Sequence, residues 1–309
     1  VRNAVIEALY EEALCDPSIC FFTGDFQHVR EKEFRALGAR YQNTGMAEQN
    51  TIGLAAGAAL SGKKVFVYSI IPFITLRCLE QIKVDVCAQR TDVTVIGGGA
   101  GFTYGTCGIT HLAIEDIAVM RALPHMQVVS PSGPREAVWL LRHIVRFGGP
   151  AYLRLNKRGE EDLTDGYAVF GKGMVVREGR DVCIISTGTI LSEALTAADI
   201  LGVQGISTGV VNMHTVKPLD ENLICELAQS RKLICTWTGR CGSGSPGGSW
   251  RQSPLQAFRR GRRMAERSGQ PGLPARLHGS LRQEHSRKNP VDLEVIFTGL
   301  ATMSRDPFY

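Results

Sequence analysis

Short apolar runs of strand length alternate with helix-length segments from residue 2 to about residue 236, and few folds accommodate that grammar. Strands are predicted at 19–23, 64–69, 92–96, 127–129 and 151–155, with helices at 2–14, 50–60, 76–89, 114–122 and 135–146. Neighbouring parallel strands need a crossover of about a dozen residues or more, whereas antiparallel neighbours need only a hairpin. Helices of this length between strands therefore imply a largely parallel sheet covered on both faces. Residues 159–171 lapse into charged and turn-forming residues, which reads as a linker. The pattern then repeats, with strands at 181–186, 207–211 and 233–236 and helices at 191–201 and 218–229. The expected fold class is α/β: two three-layer α/β domains with mostly parallel sheets, at 1–160 and 161–309.

The chain's 309 residues suffice for two ordinary domains, and 44% hydrophobic with 21% charged residues is a soluble, globular balance. The longest apolar run, 65–74, falls short of the roughly 20 residues a bilayer requires. The first residues carry early charge and no signal-peptide core, so a cytoplasmic protein is expected. Nine cysteines, an odd number with no Cys-x-x-Cys pair, read as reduced thiols and not as zinc ligands or disulfides.

The net charge of +5 hides an asymmetry. Residues 237–290 hold eleven Arg or Lys against two Glu, a local +9, so the rest of the chain carries −4. This stretch is rich in Gly, Ser, Pro and Arg and has no sustained apolar period; coil of this composition cannot bury enough apolar surface to offset its ordering entropy. Such text is also what a GC-rich gene gives when read out of frame. Residues 237–272 therefore read as a frameshift, with a disordered basic arm able to touch nucleic acid or an acidic partner as the rival. Aromatic interleaving is sparse, which disfavours base stacking. Some pattern returns at 291–300.

Gly97-Gly98-Gly99-Ala100-Gly101 follows a strand but fits G-x-G-x-x-G in no register, because the last glycine would fall on Phe102 or Tyr104. No helix start follows directly, so a dinucleotide site is rejected and a flexible or close-packed loop is expected.

Six segments carry the functional signal: Gly45-Met46-Ala47-Glu48-Gln49-Asn50; Tyr68-Ser69 through Phe73 to Arg77-Cys78-Leu79-Glu80-Gln81; Gly108-Ile109-Thr110-His111; 120–126; Pro150-Ala151-Tyr152-Leu153-Arg154; and 211–220. With these segments in this order, the chain resembles the transketolase family, which includes deoxyxylulose-phosphate synthase and the beta subunits of 2-oxoacid dehydrogenases. It is most similar to stand-alone transketolase C-terminal sections, over most of residues 1–236. The resemblance implies a pyrimidine-binding domain for thiamine diphosphate at 1–160 and a transketolase C-terminal-like domain at 161–309, with 237–290 atypical.

The resemblance also implies roles. Glu48 aligns with the carboxylate that hydrogen-bonds N1′ of the cofactor's aminopyrimidine, which requires a carboxyl in a dry pocket able to share a proton with a ring nitrogen. By itself it reads first as a helix N-terminal carboxylate satisfying backbone amides. Phe73 falls where an aromatic stacks on the pyrimidine, or it is an ordinary core Phe; Tyr68 is a weaker neighbouring candidate. His111 aligns with a histidine that contacts the donor and could donate to a developing oxyanion or relay a proton, or it could be structural. Arg154 and Arg158 fall where relatives use arginine near a sugar phosphate, and alternatively form ion pairs at a strand end. Arg77 reads as structural. Cys107 stands where many relatives have an Asp that recognises sugar hydroxyls, so donor specificity does not transfer.

No Gly-Asp-Gly occurs in the chain. The resemblance therefore implies that a partner, an N-terminal-section transketolase subunit, holds the diphosphate and Mg²⁺. The expected enzyme is a split transketolase, a heterotetramer passing a two-carbon ketol unit from a ketose or its phosphate to an aldehyde. The alternatives are a 2-oxoacid decarboxylating beta subunit, a non-catalytic paralogue and, last, a nucleic-acid binder acting through the basic tail.

Overall fold

The computed structural model describes residues 1–24, 28–156, 161–238 and 256–259, of which 237–238 and 256–259 are described as backbone alone. The first block runs α1 (Arg2–Cys15), β1 (Ile19–Thr23), α2 (Glu31–Arg35), β2 (Tyr41–Asn43), α3 (Glu48–Leu60), β3 (Lys64–Ile70), the short helices α4 (Ile71–Ile74) and α5 (Leu79–Gln81), β4 (Val93–Gly98), α6 (Asp116–Ala122), β5 (Gln127–Val129), α7 (Pro134–Phe147) and β6 (Ala151–Leu155). The second runs β7 (Met174–Arg177), β8 (Val182–Thr187), α8 (Leu191–Val203), β9 (Thr208–Asn212), β10 (Thr215–Lys217), α9 (Glu221–Ser230), β11 (Leu233–Thr238) and β12 (Gln256–Arg259).

The strands form a seven-stranded sheet, β10-β5-β6-β4-β3-β1-β2, and a five-stranded sheet, β12-β11-β8-β9-β7. Pairing is parallel except at β10 with β5, β7 with β9 and β12 with β11, which are antiparallel. The α/β expectation therefore holds, with antiparallel strands confined to the edges. In β3 the period of two sorts the side chains: Phe66 and Tyr68 join the core under α1 and α7, while Val65 and Val67 join the core under α3 and α6. Both faces are covered, so strands such as β1, β4 and β6 are buried at every residue.

Several elements differ from expectation. The helix expected at 76–89 is broken: α4 ends as Thr75 and Cys78 turn their side chains back onto the carbonyls of Ile71 and Phe73, and a π-type helix takes over at Ile82–Ala88. Strand β12 falls within the stretch expected to be coil, where it pairs its backbone with β11. Apart from 237–238 and 256–259, the basic tail and both readings of it lie outside the described residues. Strand β10 returns from the second block to close the edge of the first sheet beside β5. Among the described residues no helix is long and apolar enough to cross a membrane.

A buried polar cluster joins the two sheets. Glu136, in the first turn of α7, accepts from the Ser132 amide (3.0 Å), the Ser132 hydroxyl (2.9 Å) and the Asn212 amide at the end of β9 (2.6 Å). Burial pushes its carboxyl pKa up, against the pull of these three donors.

Candidate active site

The ends of β1 and β3 and the start of α3 meet at the carboxyl edge of the first sheet, where open α/β sheets bind ligands. The turn into α3 is held by Asn43, whose Oδ1 accepts from the Gly45 amide at 3.0 Å, and by Thr44, whose hydroxyl donates to the Thr23 carbonyl at 3.0 Å. Gly45 sits at φ +69, a conformation that costs glycine nothing. The turn delivers Glu48 as the first residue of α3, where the helix dipole favours a negative charge.

The Glu48 side chain is only 6% exposed. Its Oε1 lies 3.4 Å from the Ser69 hydroxyl, and its Oε2 accepts from Arg77 Nη1 at 2.7 Å. Gly24 forms the adjacent wall: a Cβ there would lie 3.3 Å from the Gly45 carbonyl oxygen and 3.8 Å from Glu48 Oε1. The tight contact is with the Gly45 carbonyl, so the missing side chain lets the turn into α3 pack close against β1.

Phe73, half-buried in α4, meets the His111 ring edge-on at 4.9 Å between centroids. The Arg77 guanidinium carbon lies 4.3 Å from the Phe73 ring centre, so Arg77 bridges Glu48 and Phe73. His111, half-buried, pairs Nδ1 with the Thr110 hydroxyl at 2.9 Å. It rides on a loop closed by reciprocal backbone bonds between Gly101 and Ala113, both 3.0 Å. Glu48, Phe73 and His111 are thus brought together, and Arg77 is added to them. Sequence reading assigned Arg77 a structural role; it lies between α4 and α5, outside any helix shared with Phe73, and no local pattern marked its contact with the site.

Arg154 and Tyr68 have other surroundings. Arg154 is 7% exposed and donates from Nε to Asp116 (2.8 Å) and from Nη2 to the Ala113 carbonyl (3.0 Å). It therefore anchors the base of the His111 loop, and binding a phosphate would require breaking a buried ion pair. Tyr152 donates to the same Asp116 oxygen at 2.6 Å. Tyr68 is fully enclosed, and burial raises its phenol pKa far above the ordinary value. The pleat turns its ring into the α1–α7 core, where it is fully buried. Arg158 lies outside the described residues.

The glycine run is close-packed. A Cβ at Gly97 would meet Ile71 at 2.7 Å and one at Gly98 the Tyr68 hydroxyl at 3.0 Å; Gly99, at φ +89, backs onto the Tyr104 ring. Among the described residues no cluster of three or more His, Cys, Asp or Glu is arranged to hold a metal ion.

Two family descriptions match the chain: "Transketolase, pyrimidine binding domain" over residues 1–159 and "Transketolase, C-terminal domain" over residues 171–275. The chain is 41% identical over 189 residues to a transketolase C-terminal section of Methanocaldococcus jannaschii, an alignment spanning 60% of each protein. It is 34% identical over 240 residues to an apulose-4-phosphate transketolase subunit of Phocaeicola vulgatus, covering 76% of this chain and 77% of that one. A solved structure described as a split gene transketolase, inactive beta4 tetramer, matches with a TM-score of 0.70 at 33% identity, covering 77% of this chain and 78% of that one.

Proposed function

Because the chain belongs to the transketolase family, we propose that it is one subunit of a split, thiamine-diphosphate-dependent transketolase, active only with a partner that carries the diphosphate site. The observation that carries this reading is the buried Glu48 carboxylate joined through Arg77 to the half-buried Phe73, whose ring meets that of His111. These residues fit the aminopyrimidine: a carboxylate in dry surroundings, an aromatic ring reached through the same Arg77, and Gly24, where a Cβ would press on the Gly45 carbonyl in the turn that delivers Glu48. Arg77, a planar cation, lies on both groups, so a flat nitrogen-bearing group can reach them together.

When bound, the cofactor supplies carbanion stabilisation for the two-carbon unit. Glu48 would hold a proton shared with N1′, and Phe73 would orient the ring and exclude water. His111 would donate toward a substrate oxygen. Arg154 is a positioning residue that fixes the loop bearing His111. In this proposal Mg²⁺ and the diphosphate are held by the partner chain. The residues beside the site favour such closure: Met46 is 83% exposed two residues before Glu48, and Ile109 is 70% exposed two residues before His111. Large apolar side chains so placed lose unfavourable contact with water when a second chain covers them. A heterotetramer, a sugar phosphate as substrate and a cytoplasmic setting belong to the same proposal.

The test is to mix the chain with an N-terminal-section subunit and measure thiamine diphosphate binding with Mg²⁺ together with ketol transfer. Binding and turnover are expected in the mixture alone, with Glu48→Ala lowering turnover by at least about 100-fold. Absence of binding in the mixture would sink the reading, and turnover of pyruvate in place of ketoses would redirect it to the 2-oxoacid branch.

A further inference from the structure

In the chain by itself, Arg77 makes the two contacts that the proposed function assigns to the aminopyrimidine. Its Nη1 donates to Glu48 Oε2 at 2.7 Å, and its guanidinium carbon lies 4.3 Å from the Phe73 ring centre. The other carboxylate oxygen lies 3.4 Å from the Ser69 hydroxyl, so Arg77 and Ser69 each take one oxygen of Glu48. We infer that Arg77 is a placeholder, pairing Glu48 and covering Phe73 until thiamine diphosphate displaces it, so that cofactor entry is coupled to an outward swing of this side chain. The inference rests on the proposed function and adds a regulatory element to its site.

Two physical asymmetries support displacement. Glu48 is 6% exposed and Arg77 is 45% exposed. A carboxylate so enclosed is costly to leave unpaired, whereas a half-exposed guanidinium returns to water readily. The arginine stem is also long and rotatable, and Arg77 stands between α4 and α5, so the swing needs no helix to move. An internal competitor lowers apparent affinity by the fraction of molecules whose site is open. It also keeps the carboxylate satisfied in chains that have not met cofactor.

The experiment measures thiamine diphosphate binding to the assembled enzyme with Mg²⁺, by calorimetry and stopped flow, for wild type, Arg77→Ala and Arg77→Lys. Arg77→Ala is expected to lower the apparent Kd by roughly fivefold and to speed association. Arg77→Lys, which keeps the charge and loses the planar fork, is expected to fall between. Unchanged or weaker binding by Arg77→Ala, with wild type binding normally, overturns the placeholder and leaves Arg77 as a fixed orienter of Glu48. A wild-type assembly that binds no cofactor overturns the proposed function, and the placeholder falls with it. A cofactor-independent readout is a thermal double-mutant cycle of Arg77→Ala with Glu48→Gln in the chain alone. Non-additive effects are expected, and strict additivity overturns the pairing itself.

Discussion

His214 sits in the turn between β9 and β10, 1% exposed, with Nδ1 against the Thr215 hydroxyl at 2.9 Å. Burial pulls its imidazole pKa down to about 4 from 6.5. Between those values the unfolded chain binds a proton that the folded chain refuses, so stability rises with pH from about 4 to 6.5 and is flat above. The difference amounts to about 3 kcal/mol. Unfolding of wild type and His214→Gln, compared from pH 4.5 to 7.5, should show a shallower acid slope in the variant; equal slopes would refute the assignment. Asp16, held down to about 2 by the Ser18 hydroxyl and Lys64 against the opposing effect of burial, loses its contribution only below the His214 window. Other residues divide by what a linear sequence can show. Glu48, Phe73 and His111 could be proposed from sequence because each lies in a short ordered segment. The partners of Arg154 were not: Asp116 lies 38 residues away, and nothing local marks the pair. Tyr68 was misplaced because the strand's alternation was visible but its register relative to the core was not.

At the scale of elements, the long periodic segments other than 76–89 were read to within a few residues, whereas β2, β7 and β10, of three or four residues each, were missed. Strands that short contain too few alternations to stand out from a loop, and they exist because a neighbouring edge supplies hydrogen bonds. Caps are more local. Asp220 begins α9 by accepting from the Leu223 amide at 3.3 Å, and it also takes the Gly173 amide at 3.1 Å. Replacing it with Ala removes an N-cap and an anchor of the strand opening the second block. The expected loss is about 1–2 kcal/mol, read as a fall of a few degrees in Tm. An unchanged Tm would show that neither bond contributes.

Across the whole molecule, Glu136 is the acceptor on which three donors from both blocks converge. Glu136→Leu leaves the Ser132 amide and hydroxyl without their acceptor and Asn212 with only the Ser132 hydroxyl at 3.3 Å, and the expected destabilisation is on the order of 3 kcal/mol. The same variant should become more open to protease in the segment 161–173, since the cluster that links the sheets is gone. Loss of stability without new cleavage would mean that the cluster only supports α7. The two-block arrangement was legible from the repeated alternation. The stitching of the blocks was not, because the residues that perform it are far apart in the chain and individually ordinary.

Strand β10 gives the chain an order of assembly. The first sheet stays open along β5 until residues 215–217 have been made, although its other six strands are complete by residue 155. During synthesis the N-terminal half therefore waits, with an unpaired edge available to neighbouring chains, while some sixty more residues leave the ribosome. A gene cut at the linker would make that wait permanent. Splitting this protein into two independently expressed halves should therefore yield an N-terminal piece that associates with itself unless residues 215–217 travel with it.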